Sequence, residues 1–250
     1  FYKTAGNYFC RMLDAAKYSD ASACGNEIAS EKPMVRKYII DSLCYWASEY
    51  HIDGFRFDLM GVLDIETLNE ARKALLKINP DIIMYGEGWT GGESTLPESE
   101  RGMKINAPRT PGIGMFSDDI RDAVKGHVFY MDELGFVNGA ADRGEELKQA
   151  VTCAKWAKSP MQSINYLSCH DNYTLWDRFI ISNSHESEEM RIRMNKLAAA
   201  ILFTAQGIPF FLHGEEFART KISEADGAPV ENSYCSPLSI NAIDYDRAEI

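Results

Sequence analysis

Short apolar strands alternate with amphipathic helices along most of this chain, and that alternation most constrains its fold. The first clear unit is a strand over 52–58, a helix over 64–78 and a strand over 81–87. This is the usual size of a βαβ unit, in which the two strands are parallel. The pattern therefore predicts an α/β fold with a parallel sheet. Further strands are predicted over 112–116, 163–169 and 208–213, and further helices over 33–50, 118–126, 143–157 and 187–205.

Five predicted strands fall short of the eight that close a TIM (β/α)8 barrel. The chain has 250 residues and begins with Phe1 rather than Met. We therefore expect residues 1–250 to form one partial catalytic barrel domain, with three strands lost upstream of Phe1. An unclosed parallel sheet exposes unpaired backbone groups and apolar faces. We accordingly expect this piece alone to be poorly soluble or inactive.

The net charge and the lengths of the apolar runs disfavour nucleic acids and membranes as partners. The net charge is −11 and the isoelectric point is about 5.0, which disfavours binding to phosphate backbones. No apolar run approaches the length of a membrane span, so no membrane association is expected. A neutral partner such as a sugar polymer suits this surface. We expect the whole protein to be soluble, and the sequence leaves open whether it is cytoplasmic or secreted and whether it forms oligomers.

The six cysteines have irregular spacing and form no C-x-x-C pair, so a zinc cage is not expected. Free thiols are the favoured interpretation, and a disulfide between two of them, Cys10 and Cys24, is the alternative. The full set is Cys10, Cys24, Cys44, Cys153, Cys169 and Cys235.

Charged side chains lie at the carboxyl end of the first predicted strand. Because side chains alternate along a strand, Phe55 and Phe57 point one way, and Arg56 and Asp58 point the other way together. Active sites of these barrels are built at this end of the sheet. An alternative interpretation is a buried ion pair with a purely structural role.

Two further strand ends repeat the pattern. Glu87 closes the second strand between two glycines, which let another group approach closely, and Trp89 follows as a possible platform for a sugar ring or an ordinary core residue. A later strand ends in His170, Asp171 and Asn172. Parallel strands of a barrel bring such ends within reach of one ligand.

Three convergent carboxyl groups suit glycoside cleavage. A retaining mechanism needs an ionised carboxylate as nucleophile and a protonated carboxyl as acid, about 5–5.5 Å apart. Arg56 favours the ionised form of Asp58, and we expect burial and the charge of Asp58 to keep Glu87 protonated. The residues alone do not say which carboxylate plays which role. A magnesium site formed by Asp58, Glu87 and Asp171 is the competing interpretation, and the cation Arg56 argues against it.

Three short segments resemble glycoside hydrolase family 13, the α-amylase superfamily, in their order and spacing. They are GFRFD at Gly54–Asp58, GEGW at Gly86–Trp89 and HDN at His170–Asn172. The longer strings YHIDGFRFDLMG, DDIRDAVKG, HDNYTLWDR and NSYCSPLSINAIDY are similar to the type I pullulanases of that family. The similarity covers nearly the whole chain.

The resemblance implies a role for each candidate residue. Asp58 is then the nucleophile, Glu87 the acid/base and Asp171 a stabiliser that binds hydroxyl groups of the distorted sugar. Arg56 orients Asp58, and His170 binds the same sugar; Asn172 and Trp89 complete the predicted substrate-binding set. The implied reaction is debranching at α-1,6 linkages of pullulan, amylopectin or limit dextrins. No metal or cofactor is required, and calcium is possible but not indicated.

The resemblance also has gaps. The family's Asp-…-Asn-His motif at its third strand is not found, so the predicted strands correspond to barrel strands four to eight. By the same resemblance, we expect the N-terminal binding modules and the C-terminal β-sandwich of pullulanases to be absent from this chain. Two alternatives stay open: an isoamylase-like or α-1,4-active relative, and a catalytically inactive carbohydrate-binding fragment.

Overall fold

The computed structural model of the protein describes residues 2–249. The chain divides into two units. The first runs to Phe116 and also includes Trp156–Gln162, and the second comprises Ser117–Lys155 and the described residues from Ser163 onward.

The first unit is a run of parallel strands with its helices between them. β1 pairs with β2 in the register Phe57↔Gly86, and β2 pairs with β3 in the register Gly86↔Met115. Both pairings are parallel, as the βαβ pattern predicted. The elements are α1 (Tyr2–Phe9), α2 (Pro33–Glu49), β1 (Gly54–Phe57), α3 (Ile65–Leu75), β2 (Ile83–Gly86) and β3 (Gly114–Ser117).

The two long helices of this unit begin where the sequence predicted, and a residue suited to a helix N-terminus lies at the start of each. Pro33 occupies the first turn of α2, where its missing N–H costs nothing. Asp64 caps α3 by accepting a hydrogen bond from Thr67 N at 2.9 Å. The apolar faces of the strands and helices meet in one core cluster, whose fully buried members include Met60, Leu68, Leu75, Met84, Ile113 and Met115.

The second unit has its own strand pair and its own core. β4 and β5 are parallel, with Ile164 opposite Ile208. The elements are α4 (Asp118–Lys125), α5 (Gly144–Val151), β4 (Ser163–Asn165), α6 (Leu175–Ser182), α7 (Glu188–Thr204), β5 (Ile208–Pro209) and α8 (Leu238–Asn241). The core includes Ile120, Val124, Leu167, Leu175, Phe179 and Leu202.

Several predicted boundaries were wrong for identifiable reasons. The predicted helix over 143–157 ends at Val151, because Cys153 has a φ of 111°, which no helix accommodates. The predicted strand over 163–169 ends at Asn165, whose carbonyl accepts from Phe210 N at 2.7 Å. Helices α1, α6 and α8 are additional to the predicted helices, and α1 is kinked at Ala5, whose φ is −152°.

Two other expectations can be compared with the structure. Each of the six cysteines is a free thiol, so the favoured interpretation is confirmed and the Cys10–Cys24 disulfide is wrong. Among residues 2–249, no helix has both the length and the apolar character needed to cross a membrane.

Candidate active site

The candidate site of the first unit lies where β1 and β2 end. Phe57 and Gly86 are the last paired residues of the two strands, so Asp58 and Glu87 occupy equivalent positions one residue further on. Arg56 lies between them. Its Nη1 donates a hydrogen bond to Asp58 Oδ1, and its Nη2 donates to Glu87 Oε1 at 2.8 Å. One guanidinium group therefore bridges the two predicted catalytic carboxylates.

This bridge extends the role that the sequence suggested for Arg56. Side-chain alternation along the strand predicted that Arg56 lies beside Asp58, and the structure adds Glu87 as a second partner. Charge-assisted hydrogen bonds of this kind are strong and geometrically specific. A positive charge already placed between both carboxylates also disfavours the alternative magnesium site at this position.

The two carboxylates have contrasting surroundings. The Asp58 side chain is 71% exposed, whereas that of Glu87 is 9% exposed. Glu87 Oε2 accepts a hydrogen bond from Leu59 N at 2.7 Å. The main chain of Glu87 is fixed too, since its N–H donates to Phe57 O and its carbonyl accepts from Gly61 N, both at 3.1 Å. Glu87 is therefore buried and fixed by hydrogen bonds, whereas the carboxylate of Asp58 is accessible to solvent.

Close backbone approach explains the glycine that precedes Glu87. A Cβ atom at Gly86 would lie 2.5 Å from Phe57 O and 2.9 Å from Phe57 Cβ. The group that approaches Gly86 closely is therefore Phe57 of the neighbouring strand. This packing holds β1 and β2 side by side, so that Asp58 and Glu87 follow paired residues of the two strands.

Two aromatic residues, one following β2 and one near the end of β3, lie against cationic side chains. Trp89, the predicted sugar platform, is half-buried, and Lys104 Nζ lies over its ring at 5.9 Å from the centroid. Phe116, which sequence reasoning missed, lies under the guanidinium of Arg56 at 5.8 Å and contacts the ring of Tyr85 edge-on. A phenylalanine at the end of β3 is indistinguishable by sequence from ordinary core, so only the strand register identifies it as a support for Arg56.

The remaining predicted residues lie in the second unit, on a turn beyond β4. His170 Nε2 and Asp171 Oδ2 are 3.4 Å apart, and their side chains are 59% and 48% exposed. Asn172 has a φ of 59°, and its N–H donates to Asn232 Oδ1 at 3.3 Å. Donor atoms of Cys169, His170 and Asp171 lie within 4.8 Å of one another. The turn therefore presents an imidazole and a carboxylate side by side.

The segment over 214–250, for which no strand or helix was predicted, supports this turn. Lys221 is buried and its Nζ donates to Ser233 Oγ at 2.7 Å and to His170 O at 3.5 Å. Asp177, at the start of α6, accepts from Lys221 N at 2.8 Å. Burial lowers the pKa of Lys221, which the charge of Asp177 partly offsets. An ammonium group beside the turn makes it a poor site for a divalent cation.

A second buried group in this unit was also missed. Glu215 lies in the segment after β5, and it accepts a hydrogen bond from Ser168 Oγ. Burial raises the pKa of Glu215 to about 7. Lys125 is fully buried as well, and desolvation lowers its pKa to about 8. Applying the strand-end rule to the last strand would have identified Glu215.

Comparison with known proteins places this geometry in a family. The α-amylase catalytic domain profile matches residues 21–247. The chain belongs to the α-amylase catalytic-domain family. The predicted fold class is thereby confirmed: this family's domain is a TIM barrel, and the described residues contain five of its parallel strands.

Several members of the α-amylase family that are similar to this chain are pullulanases. The chain is 41% identical over 256 residues to a pullulanase of Bacillus subtilis, covering 100% of this chain and 35% of that protein. It is 31% identical to a pullulanase of Klebsiella aerogenes, covering 95% of this chain and 25% of the relative. The chain thus spans about a third of the length of these relatives or less.

A solved structure agrees with the sequence matches. The pullulanase of Paenibacillus barengoltzii, in complex with maltohexaose and α-cyclodextrin, aligns with a TM-score of 0.92 and 46% identity. The match covers 100% of this chain and 39% of that one. The resemblance inferred from three short motifs is confirmed.

Proposed function

We propose that this chain is the catalytic part of a retaining α-glucan hydrolase that cleaves α-1,6 branch linkages, as in pullulan, amylopectin and limit dextrins. The observation that carries the proposal is the Arg56 bridge between Asp58 and Glu87 at the ends of adjacent strands. Both carboxylates contact one small planar group, which favours the short separation of retaining enzymes over the wider inverting one. Similarity to pullulanases selects the α-1,6 linkage.

In the first step, the accessible Asp58 attacks the anomeric carbon of the sugar. The bond from that carbon to the glycosidic oxygen breaks, and Glu87 transfers its proton to the leaving oxygen. In the second step Glu87, now a carboxylate, takes a proton from water, which displaces Asp58 from the sugar. We assign Asp171 and His170 to the hydroxyl groups of the reacting sugar, and Trp89 and Asn172 to flanking substrate contacts.

The shared guanidinium matches the charge changes of these two steps. Before the first step, Asp58 carries the negative charge and Glu87 the proton. After it, Asp58 is a neutral ester and Glu87 is the carboxylate. Since Arg56 contacts both groups, one positive charge faces one negative charge in either state. Such preorganised charge needs no rearrangement as the reaction proceeds.

The test uses the full-length protein that contains this chain, with pullulan as substrate. We expect maltotriose as the product and retention of the anomeric configuration. Asp58→Asn should lower kcat by at least about 10³-fold while substrate binding persists. The matched control is Asp53→Asn, an exposed carboxylate just before β1, which should leave the rate unchanged.

Each alternative predicts a different outcome. Panose-type products would indicate an α-1,4-active relative. Glucan binding without turnover by the unsubstituted protein would indicate a carbohydrate-binding role. Inversion of configuration would contradict the assignment of Asp58 as the nucleophile.

A further inference from the structure

The residue that follows Asp58 has an unusual backbone. Leu59 has φ 41° and ψ 52°, in the left-handed region that a side chain with Cβ rarely adopts. Strained residues of this kind persist only when their surroundings hold them, and they cluster at functional sites. Leu59 lies between the accessible carboxylate and the buried turn over Met60–Val62.

The left-handed conformation turns the Leu59 amide toward Glu87. Leu59 N donates to Glu87 Oε2 at 2.7 Å, while Arg56 engages Oε1. The acceptor residue is only 6% exposed, so this amide meets a carboxyl group largely withdrawn from solvent. The side chain of Glu87 is therefore held at both oxygens.

Both ends of the strained segment are fixed, which explains why it does not relax. On one side, Phe57 is paired in β1 opposite Gly86. On the other, Gly61 N lies 3.1 Å from both Glu87 O and Trp89 O. A Cβ atom at Gly61 would lie 2.4 Å from Trp89 O, so the two loops are in direct backbone contact. Left-handed backbone at residue 59 connects these anchors.

We propose that Leu59 is a positioning residue whose left-handed backbone directs its amide onto Glu87 and thereby aims the proton donor at the glycosidic oxygen. The proposal rests on the proposed function, in which Glu87 is the acid/base. It assigns the role to the backbone of Leu59 and none to its half-buried side chain.

Two substitutions separate backbone conformation from side-chain packing. Leu59→Ile keeps the composition and volume of the side chain, but a β-branched residue strongly disfavours the left-handed region. Leu59→Asn removes the apolar side chain, yet asparagine adopts that region readily. Packing alone predicts that Ile is the milder change, and the proposal predicts the opposite.

The experiment measures kcat and KM of the full-length protein on pullulan for both variants. We expect Leu59→Ile to lower kcat by about 10²-fold, the lower range of what general acid catalysis contributes, with KM changed less than threefold. Leu59→Asn should stay within about fivefold of the unsubstituted protein in kcat. Equal losses in both variants, or a larger loss in Leu59→Asn, would overturn the proposal.

A second substrate tests whether proton donation is the step affected. An α-maltosyl fluoride has a leaving group that departs without a proton from the enzyme. Leu59→Ile should therefore release fluoride in its first turnover at a rate within threefold of the unsubstituted protein. A parallel loss on the fluoride would mean that the substitution acts through Asp58, and the inference would fail. If the unsubstituted protein cleaves neither substrate, the proposed function itself fails.

Discussion

The guanidinium of Arg56 and the carboxylate of Glu87 meet across two neighbouring strands, with Nη2 and Oε1 2.8 Å apart. The strand register produces this contact, because Arg56 lies opposite Tyr85 and Glu87 follows one position beyond the last pair. The same guanidinium contacts Asp58 through its other terminal nitrogen. A planar fork with two donor nitrogens is what this double contact requires.

Replacement of Arg56 by lysine should therefore be costly. A lysine ammonium is a single point charge and does not bridge two carboxylates as a planar fork does. We expect Arg56→Lys to lower kcat on pullulan by about 10²-fold, in the range seen for loss of one preorganised donor. The control Arg109→Lys, at an exposed arginine of the same unit, should keep full activity. Equal activity of both variants would contradict the bridging role.

The contact between β1 and β2 predicts a second effect, on stability. Gly86→Ala would place a methyl group 2.5 Å from Phe57 O, inside the packed strand pair. Overpacking of this kind costs about 1–3 kcal/mol in free energy of unfolding. Denaturant titration should show that loss, together with reduced turnover because Glu87 moves.

A matched glycine provides the control for this prediction. Gly144 begins α5 with helical φ of −57°, and a Cβ atom there would meet only Phe136 Cε2 at 3.9 Å. Gly144→Ala should raise the free energy of unfolding by about 0.5–1 kcal/mol. Destabilisation by both alanines to the same extent would show that the space at Gly86 is not the cause.

Alternation along single strands was enough to predict part of the site. It placed Arg56 and Asp58 on one face, and the structure joins them by a hydrogen bond. The Arg56–Glu87 contact was beyond sequence reasoning, because it depends on the register between two strands. Leu59 was beyond it as well, since nothing in a leucine indicates left-handed backbone.

The segments that were hardest to predict are fixed by polar contacts and show no periodic pattern of apolar residues. The region around Lys221 has no helical or strand period, yet Lys221 and Asp177 hold it in place through hydrogen bonds. Helix α6 was missed although its start carries a local signal. Thr174 caps it by accepting a hydrogen bond from Asp177 N at 3.1 Å.

The cap of α3 gives a prediction about stability and pH. Asp64 is buried, which disfavours its charge, but hydrogen bonds from Thr67 and Ser30 and the charge of Arg36 lower its pKa overall. Its contribution is therefore present above the unfolded pKa, near 3.8, and is lost as the pH falls below it. At neutral pH, Asp64→Ala should lower the free energy of unfolding by about 1–2 kcal/mol.

Asparagine at position 64 separates the cap from the charge. Asp64→Asn keeps a side-chain acceptor for Thr67 N and should lose less stability than Asp64→Ala. It should also show a shallower fall in stability than the unsubstituted protein as acid is added. Urea titrations over a series of pH values measure both effects. An unchanged acid dependence in Asp64→Asn would show that the Asp64 charge does not stabilise the fold.

Glu215 and Lys125 are buried groups of the second unit that influence each other electrostatically, and Glu215 gives stability a pH response of unusual sign. Burial raises the pKa of Glu215 from 4.5 to about 7, so the folded carboxyl keeps a proton that the unfolded chain has released. Between these values the folded state binds more protons, and the free energy of unfolding falls as the pH rises, by up to about 1.4 kcal/mol per pH unit. Glu215→Gln should remove that slope.

Removing the charge of one of these two groups leaves the charge of the other uncompensated. Lys125 is fully buried, and the charge of Glu215 partly offsets the desolvation that lowers its pKa to about 8. Between about pH 7 and pH 8, where Glu215 is ionised and Lys125 is still protonated, Lys125→Met should destabilise the fold by about 1–3 kcal/mol, because the buried carboxylate loses the positive charge that offsets its burial. The double variant with Glu215→Gln should recover most of that loss. Strictly additive effects in the two single variants and the double variant would show that these two side chains do not interact.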